Sequence, residues 1–161
     1  MSKAIRIYMK LDGITGASEF HKEPGTVECL GWSHSFTQGT SISRSGGISG
    51  SVGRADHTDI KITKQVDQTT RDLMKKCWEG LQIPTVMISS YNADVKYLEI
   101  HMENVIVSTI NMEEAAGDDM ATEVVTLNYG KIKYTYTPVD ITGAAQGGIP
   151  VEHNLETGVI S

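Results

Sequence analysis

The chain has 161 residues and a formal net charge of -6, with acids and bases interspersed. That pattern offers no basic patch interleaved with aromatics, so nucleic acid is excluded as an expected partner. A chain this long fits one domain over residues 1–161 and buries roughly 70% of the surface its unfolded form exposes, so it needs no disulfide or metal to fold.

The two cysteines, Cys29 and Cys77, lie far apart in apolar patterns and read as buried free thiols. The first residues, MSKAIRIYMKLDG, alternate charged and apolar side chains. They lack the continuous apolar stretch of a signal peptide, and no run is long enough to span a bilayer. The expectation is a soluble protein made in the cytoplasm that leaves the cell, if at all, without a cleaved signal.

In chain order, Ile5, Ile7, Met9 and Leu11 alternate with Arg6, Tyr8 and Lys10, the period-two pattern of a half-buried strand. Asp12, Gly13 and Gly16 break it, and HKEPG at 21–25 reads as a loop. A second strand is expected from Thr26 to about Phe36. One face of it carries Glu28, Leu30, Trp32, His34 and Phe36; the other carries Val27, Cys29, Gly31, Ser33 and Ser35, small and hydroxylated as beside a wet space. Residues 37–53, TQGTSISRSGGISGSVG, have no pattern that would bury a face, so the region of about 37–58 is expected to be a long loop or extended arm that serves a partner.

Ile60 and Ile62 alternate with Lys61 and Thr63 as a strand, and a single helix over about 67–81 follows. Asp67, Thr69 and Thr70 supply capping oxygens, Leu73, Cys77 and Leu81 recur at helical spacing, Gly80 closes the helix and Pro84 forbids its continuation. Beyond it, Thr85–Tyr91 reads as a strand, Asn92 to Asp94 as a turn, and Lys96 to about Met112 as a long strand or bent pair, with a bulge or a stretch buried on both sides after Asn104. Strands follow at Glu123–Leu127 and around Ile132, Tyr134 and Tyr136, ending at Pro138. The tail at about 140–161 is expected to be weakly structured, ordered only against a neighbour. Many short strands separated by turn signals predict a mainly β fold, a β-barrel or two-sheet sandwich with one flanking helix and a Gly/Ser-rich arm.

Catalytic signals are poor throughout, and neither cofactor nor metal is expected. Gly47, Gly50 and Gly53 lack the Gly-Lys-Ser/Thr ending and the following helix of a phosphate loop. His101 and Glu103 share a strand face but have no third ligand, and a strand face of mixed charge produces the same pair. His34 stands between Ser33 and Ser35, yet adjacent strand residues point to opposite faces. Asp56, His57 and Asp59 read as a polar hinge where the arm rejoins the sheet.

Taken together, IRIYMKLDGITG at 5–16, LGWSHSFTQG at 30–39, the glycine-rich arm and above all ITKQVDQTTRDLMKKCWEG at 62–80 resemble the haemolysin-coregulated protein family of type VI secretion systems. Thr63, Lys64, Asp67 and Thr69 match that family's strand and capped-helix pattern. YLEIHMENVIVSTI and TEVVTLNYGKIKYTYTP match its later strands, so the likeness extends in order over residues 3–138. The tail VEHNLETGVIS departs from the more aromatic ending of many members.

The resemblance implies a non-catalytic structural subunit: a homohexameric ring stacked into a hollow tube, holding effector proteins in its lumen and ejected with its spike-tip protein by a contractile sheath. It implies that the arm, with Ser43, Arg44, Ser45, Gly46, Gly47, Ile48, Ser49 and Gly50 at its centre, reaches a neighbouring ring, and that Ser33 and Ser35 approach the lumen. Effectors would travel as separate partners rather than as a domain fused within this chain. Two other classes compete with this reading. One is a monomeric β-sandwich that grips a ligand with its Gly/Ser loop; the other is a hydrolase or metalloenzyme built on His101 and Glu103. Solution mass separates the first from a ring, and metal analysis after dialysis tests the metal form of the second.

Overall fold

A computed structural model describes residues 4–41, 51–52 and 55–161. Its strands are β1 (Ile5–Leu11), β2 (Val27–Cys29), β3 (Gly31–Ser33), β4 (Phe36–Thr37), β5 (Thr40–Ser41), β6 (Ser51–Val52), β7 (Asp56–His57), β8 (Ile60–Gln65), β9 (Ile83–Asn92), β10 (Val95–Glu113), β11 (Thr122–Asn128), β12 (Lys131–Tyr136) and β13 (Ile149–Asn154), with helix α1 (Thr70–Glu79) between β8 and β9. Among the described residues the protein is mainly β with a single short helix; the alternation of Ile5 to Leu11 and of Ile60 to Thr63 accounts for β1 and β8.

The long strand β10 organises the architecture. Its first part pairs with β9 on one edge and β12 on the other, while its second part pairs with β11. Between these parts Asn104 takes a left-handed φ of 54°, and the pairing with β11 slips between Val107 and Thr109. That break lets two sheets diverge from one strand. One sheet runs β2, β1, β9, β10, β12, β13; the other runs β10, β11, β8, β3. The chain itself closes the barrel where Leu30, between β2 and β3, donates its N–H to the Thr63 carbonyl. Met9, Val27, Ile60, Ile62, Ile88, Ile100, Met102, Val125 and Leu127 fill the space between the sheets.

The expected strand from Thr26 to Phe36 is therefore three strands. β2 pairs with β1, β3 pairs with β8, and β4 leaves both sheets to pair with β7. Its face assignment is also corrected. Val27 and Cys29, read as part of a small wet face, lie in the core, while Glu28 and Leu30 are exposed. The bulky and small faces exchange roles because the chain turns from one sheet to the other at Leu30.

The helix is shorter than expected, starting at Thr70 and ending at Glu79. Thr69 is the N-cap but makes no side-chain cap bond; instead the Asp67 carboxylate accepts from the Thr69 N–H at 2.8 Å and from the Thr69 hydroxyl at 2.6 Å. Gly80 closes the helix at φ 65°, the left-handed region that side chains with a Cβ avoid. Leu73 is fully buried, but Leu81 lies beyond the last turn and is 46% exposed, so it is not part of the helix's packed face. Pro84 is accommodated inside β9.

The tail does not stay weakly structured. β13 pairs with β12 over six residues, and Glu152 exchanges backbone hydrogen bonds with Ser161, which folds back on its other edge. The pairing uses backbone groups, so it needed no strong apolar signal: Ile149 and Val151 remain exposed.

Candidate functional site: the arm base and the cleft beside it

The arm leaves the barrel as a two-stranded ribbon. Phe36 pairs with His57 and Thr37 with Asp56; further out Thr40 pairs with Val52 and Ser41 with Ser51. The expectation of unpatterned chain from residue 37 is thus corrected at the base, where backbone pairing organises a segment with no buried face. The residues expected at its centre, Ser43, Arg44, Ser45, Gly46, Gly47, Ile48, Ser49 and Gly50, lie outside the described residues.

Ser33 and Ser35 are both exposed. Together with His34, Thr58, Asp59 and Lys61 they line a polar depression of about 260 Å³. Ser35 is tied to the other strand of the arm: its N–H and hydroxyl donate to the Thr58 hydroxyl, each at 3.1 Å, and its carbonyl accepts from the Thr58 N–H at 3.1 Å. Asp59 in turn accepts from the Ser108 hydroxyl and the Asn128 amide, both at 2.8 Å, which anchors the arm to β10 and β11. The depression offers hydroxyls without an activating base, because His34 turns its ring away from both serines. Its Nδ1 meets the Tyr134 hydroxyl at 2.6 Å, while Nε2 meets the Thr58 carbonyl at 3.0 Å and the Tyr129 hydroxyl at 2.8 Å.

His57, read from the sequence as a polar hinge, joins the same group. Its Nδ1 meets the Tyr129 hydroxyl at 2.7 Å and its Nε2 meets His153 Nδ1 at 2.8 Å. A continuous chain of polar contacts therefore runs Tyr134, His34, Tyr129, His57, His153 across the arm base, β12 and β13. Burial is the main force lowering the His34 pKa below its ordinary value, assisted by His57 and opposed by the Thr58 carbonyl and Asp59. Burial likewise pushes the Tyr134 hydroxyl up to about 12. Sequence reasoning missed this group because its members are scattered; the available signal was three histidines and two tyrosines in or next to strands.

Beside this chain opens an apolar cleft of about 470 Å³, walled by Phe36, Leu98, Tyr136, Ile149, Val151 and Ile160 among others. His101 and Glu103 lie elsewhere on β10, opposite Lys133 and Lys131. Glu103 pairs with Lys131 at 3.6 Å, and Lys131 also holds Glu152 at 2.8 Å. Among the described residues no three His, Cys, Asp or Glu side chains are placed to hold a metal ion. No described helix is long and apolar enough to cross a membrane.

A second buried feature positions the helix. Lys64 follows Ile60 and Ile62 on the apolar face of β8, and its ammonium is fully buried against Glu123 of β11, directly opposite in register. It also reaches Asp67 at 3.1 Å and the Gln65 carbonyl at 3.0 Å, while the Thr70 hydroxyl donates to Glu123 at 3.0 Å. Burial raises the Asp67 pKa, but the bonds from Thr69 and the Lys64 charge outweigh it and the net shift is downward.

The profile of the family described as "Type VI secretion system effector, Hcp" matches residues 8–136. The protein hcp1 of Pseudomonas aeruginosa is 30% identical over 154 residues, covering 93% of each chain. A solved type six secretion system protein superposes with a TM-score of 0.91 at 24% identity, covering 98% of this chain and all of its own. Hcp1 from Salmonella typhimurium superposes with a TM-score of 0.81 at 22% identity, covering 98% and 99%. These two likenesses speak to the fold; the profile and the Pseudomonas relative speak to descent. With the barrel, its single helix and the capped turn at Asp67 all in place, the chain belongs to the Hcp family of type VI secretion proteins, a structural family and not one of enzymes.

Proposed function

We propose that this protein is the subunit of a type VI inner tube, acting as one unit over its whole length. Six copies close a ring, rings stack, and the hollow tube carries effector proteins outward when a contractile sheath expels it with its spike tip. It is made in the cytoplasm and ejected by the secretion machine. The observation that carries this reading is the arm base: a ribbon whose described strands make strand pairs only with each other, which leaves their outer edges available to a neighbouring copy. The exposed Ile149, Val151 and Ile160 at the cleft mouth add an apolar surface that a neighbouring copy would cover. A head-to-tail contact closes if each copy is rotated by a sixth of a turn, and closure protects open strand edges. In such a ring the hydroxyls of Ser33 and Ser35 would face the lumen, a wet surface suited to transient cargo.

Light scattering after size exclusion tests the ring. Six copies of a 17.5 kDa chain give about 105 kDa. That mass, with annular particles in negative stain, is the expected result. A monomer at all concentrations would instead support the second reading, a β-sandwich binding module, which the apolar cleft favours because its volume suits a small ligand.

A further inference from the structure

When its histidines are neutral, one direction of the polar chain across the arm base gives every hydrogen within it a partner. The Thr58 carbonyl can only accept, so His34 Nε2 carries the hydrogen and His34 Nδ1 accepts from the Tyr134 hydroxyl. Tyr129, sharing that Nε2 hydrogen as acceptor, is free to donate to His57 Nδ1. His57 Nε2 then carries its hydrogen and donates to His153 Nδ1. Each link fixes the tautomer of the next.

One proton can enter without breaking the contacts. If His153 becomes charged, His57 reverses to accept at Nε2 and donate at Nδ1 to Tyr129, whose hydroxyl hydrogen turns away. A second proton has no such outlet. With His57 and His153 both charged, two N–H groups face each other across 2.8 Å and two like charges meet. Both rings are only partly exposed, so water screens this repulsion incompletely.

We propose that the His57–His153 contact is an acid-sensitive clasp between the arm base and the C-terminal strand, closed while at most one of the two imidazoles is charged and open when both are. Opening frees β13 from β7, the two elements that meet at the apolar cleft. The charged groups around the clasp come from each neighbouring element. Asp56 is next to His57 in β7, and Asp59 acts on His34 and Tyr129 from the arm side. Glu152 flanks His153 in β13 and is held by Lys131, with Lys133 and His101 acting on it from β12 and β10. Glu152 is therefore already committed to a lysine. The clasp belongs to a single chain; its consequence for assembly, that acid loosens the arm base and with it ring stacking, rests on the tube-subunit reading.

The test is amide exchange of the full chain at pH 7.5 and 5.0, corrected for intrinsic rates, comparing wild type with His153→Asn. Asparagine keeps an acceptor oxygen near the Nδ1 position but cannot be protonated. Wild-type peptides covering 149–157 should lose protection by roughly tenfold at the lower pH, while the variant stays protected at both. Equal wild-type protection at both pH values overturns the clasp, as does a variant that opens in acid like wild type. Should the variant not fold, ¹⁵N shifts of the wild-type imidazoles decide: Nε2–H tautomers for both rings at pH 7.5 support it, and both rings charged while β13 stays protected overturns it. Light scattering on the same samples separates the two claims. Absence of rings at either pH counts against the tube reading and leaves the clasp to the exchange data.

Discussion

Replacing Lys64 by methionine removes the only cation in contact with a buried carboxylate among the described residues. In the native protein Lys64 is 0% and Glu123 1% exposed, and one Glu123 oxygen, Oε2, already lacks a hydrogen-bond partner. Methionine fills much the same volume, so the packing loss is small and the charge term dominates. The Thr70 hydroxyl is then left as Glu123's remaining donor. Breaking a buried pair by removing one partner costs about 3–5 kcal/mol, which at a urea m-value near 2 kcal/mol/M lowers the midpoint by roughly 2 M. Urea unfolding at fixed protein concentration, followed by fluorescence of Trp32 and Trp78, measures this; a constant slope confirms that stability alone changed. The double variant Lys64→Met with Glu123→Leu should recover most of the loss, because both desolvation penalties then vanish together. A single variant within 1 kcal/mol of wild type, or a double variant as unstable as the single, would refute the argument that uncompensated charge is what matters here.

The helix offers a matched pair: Leu73→Ala should cost about 2–5 kcal/mol by opening a cavity against β10, whereas Leu81→Ala, outside the packed face, should change thermal stability by no more than about 0.5 kcal/mol. Gly16→Ala places a Cβ within 2.2 Å of the Thr26 carbonyl oxygen, so the loop from Gly16 to Thr26 must shift. The expected loss in thermal unfolding is about 1–3 kcal/mol, and an unchanged midpoint would mean that this loop yields freely. Deleting Ser45 to Gly50 should leave single rings intact in light scattering while stacks disappear in electron micrographs; stacks formed as in wild type would remove the arm from the stacking contact.

Much of the architecture was legible residue by residue. The alternation of Ile60 and Ile62 predicted β8, and the turn at Asn92 to Asp94 predicted the hairpin of β9 and β10, where Ala93 indeed takes a positive φ of 55°. Asn104 stood out as a break in an apolar pattern, and it is the point where the two sheets part. The same reasoning failed between Thr26 and Phe36, because a period of two continues through a corner without recording that the pairing partner has changed from β1 to β8. It failed again for β13, whose pairing with β12 is made by backbone groups that leave little trace in composition. Lys64 was visible only as a family match, although its place two residues beyond Ile62 put it on the buried face. The expected lumen and stacking roles of Ser33, Ser35 and the arm remain with the proposed function.

By itself, then, the sequence determined the mainly β fold, the helix with its Asp67–Thr69 entry turn and its stop at Gly80, and the Gly/Ser arm, since periodicity, capping and turn chemistry act within a few residues of one another. Only the tertiary structure decided the branching at β10, the docking of β13, the Lys64–Glu123 pair and the chain of rings from Tyr134 to His153. Those depend on which strand edges meet. His57 and His153 are 96 residues apart, and nothing local to either names the other.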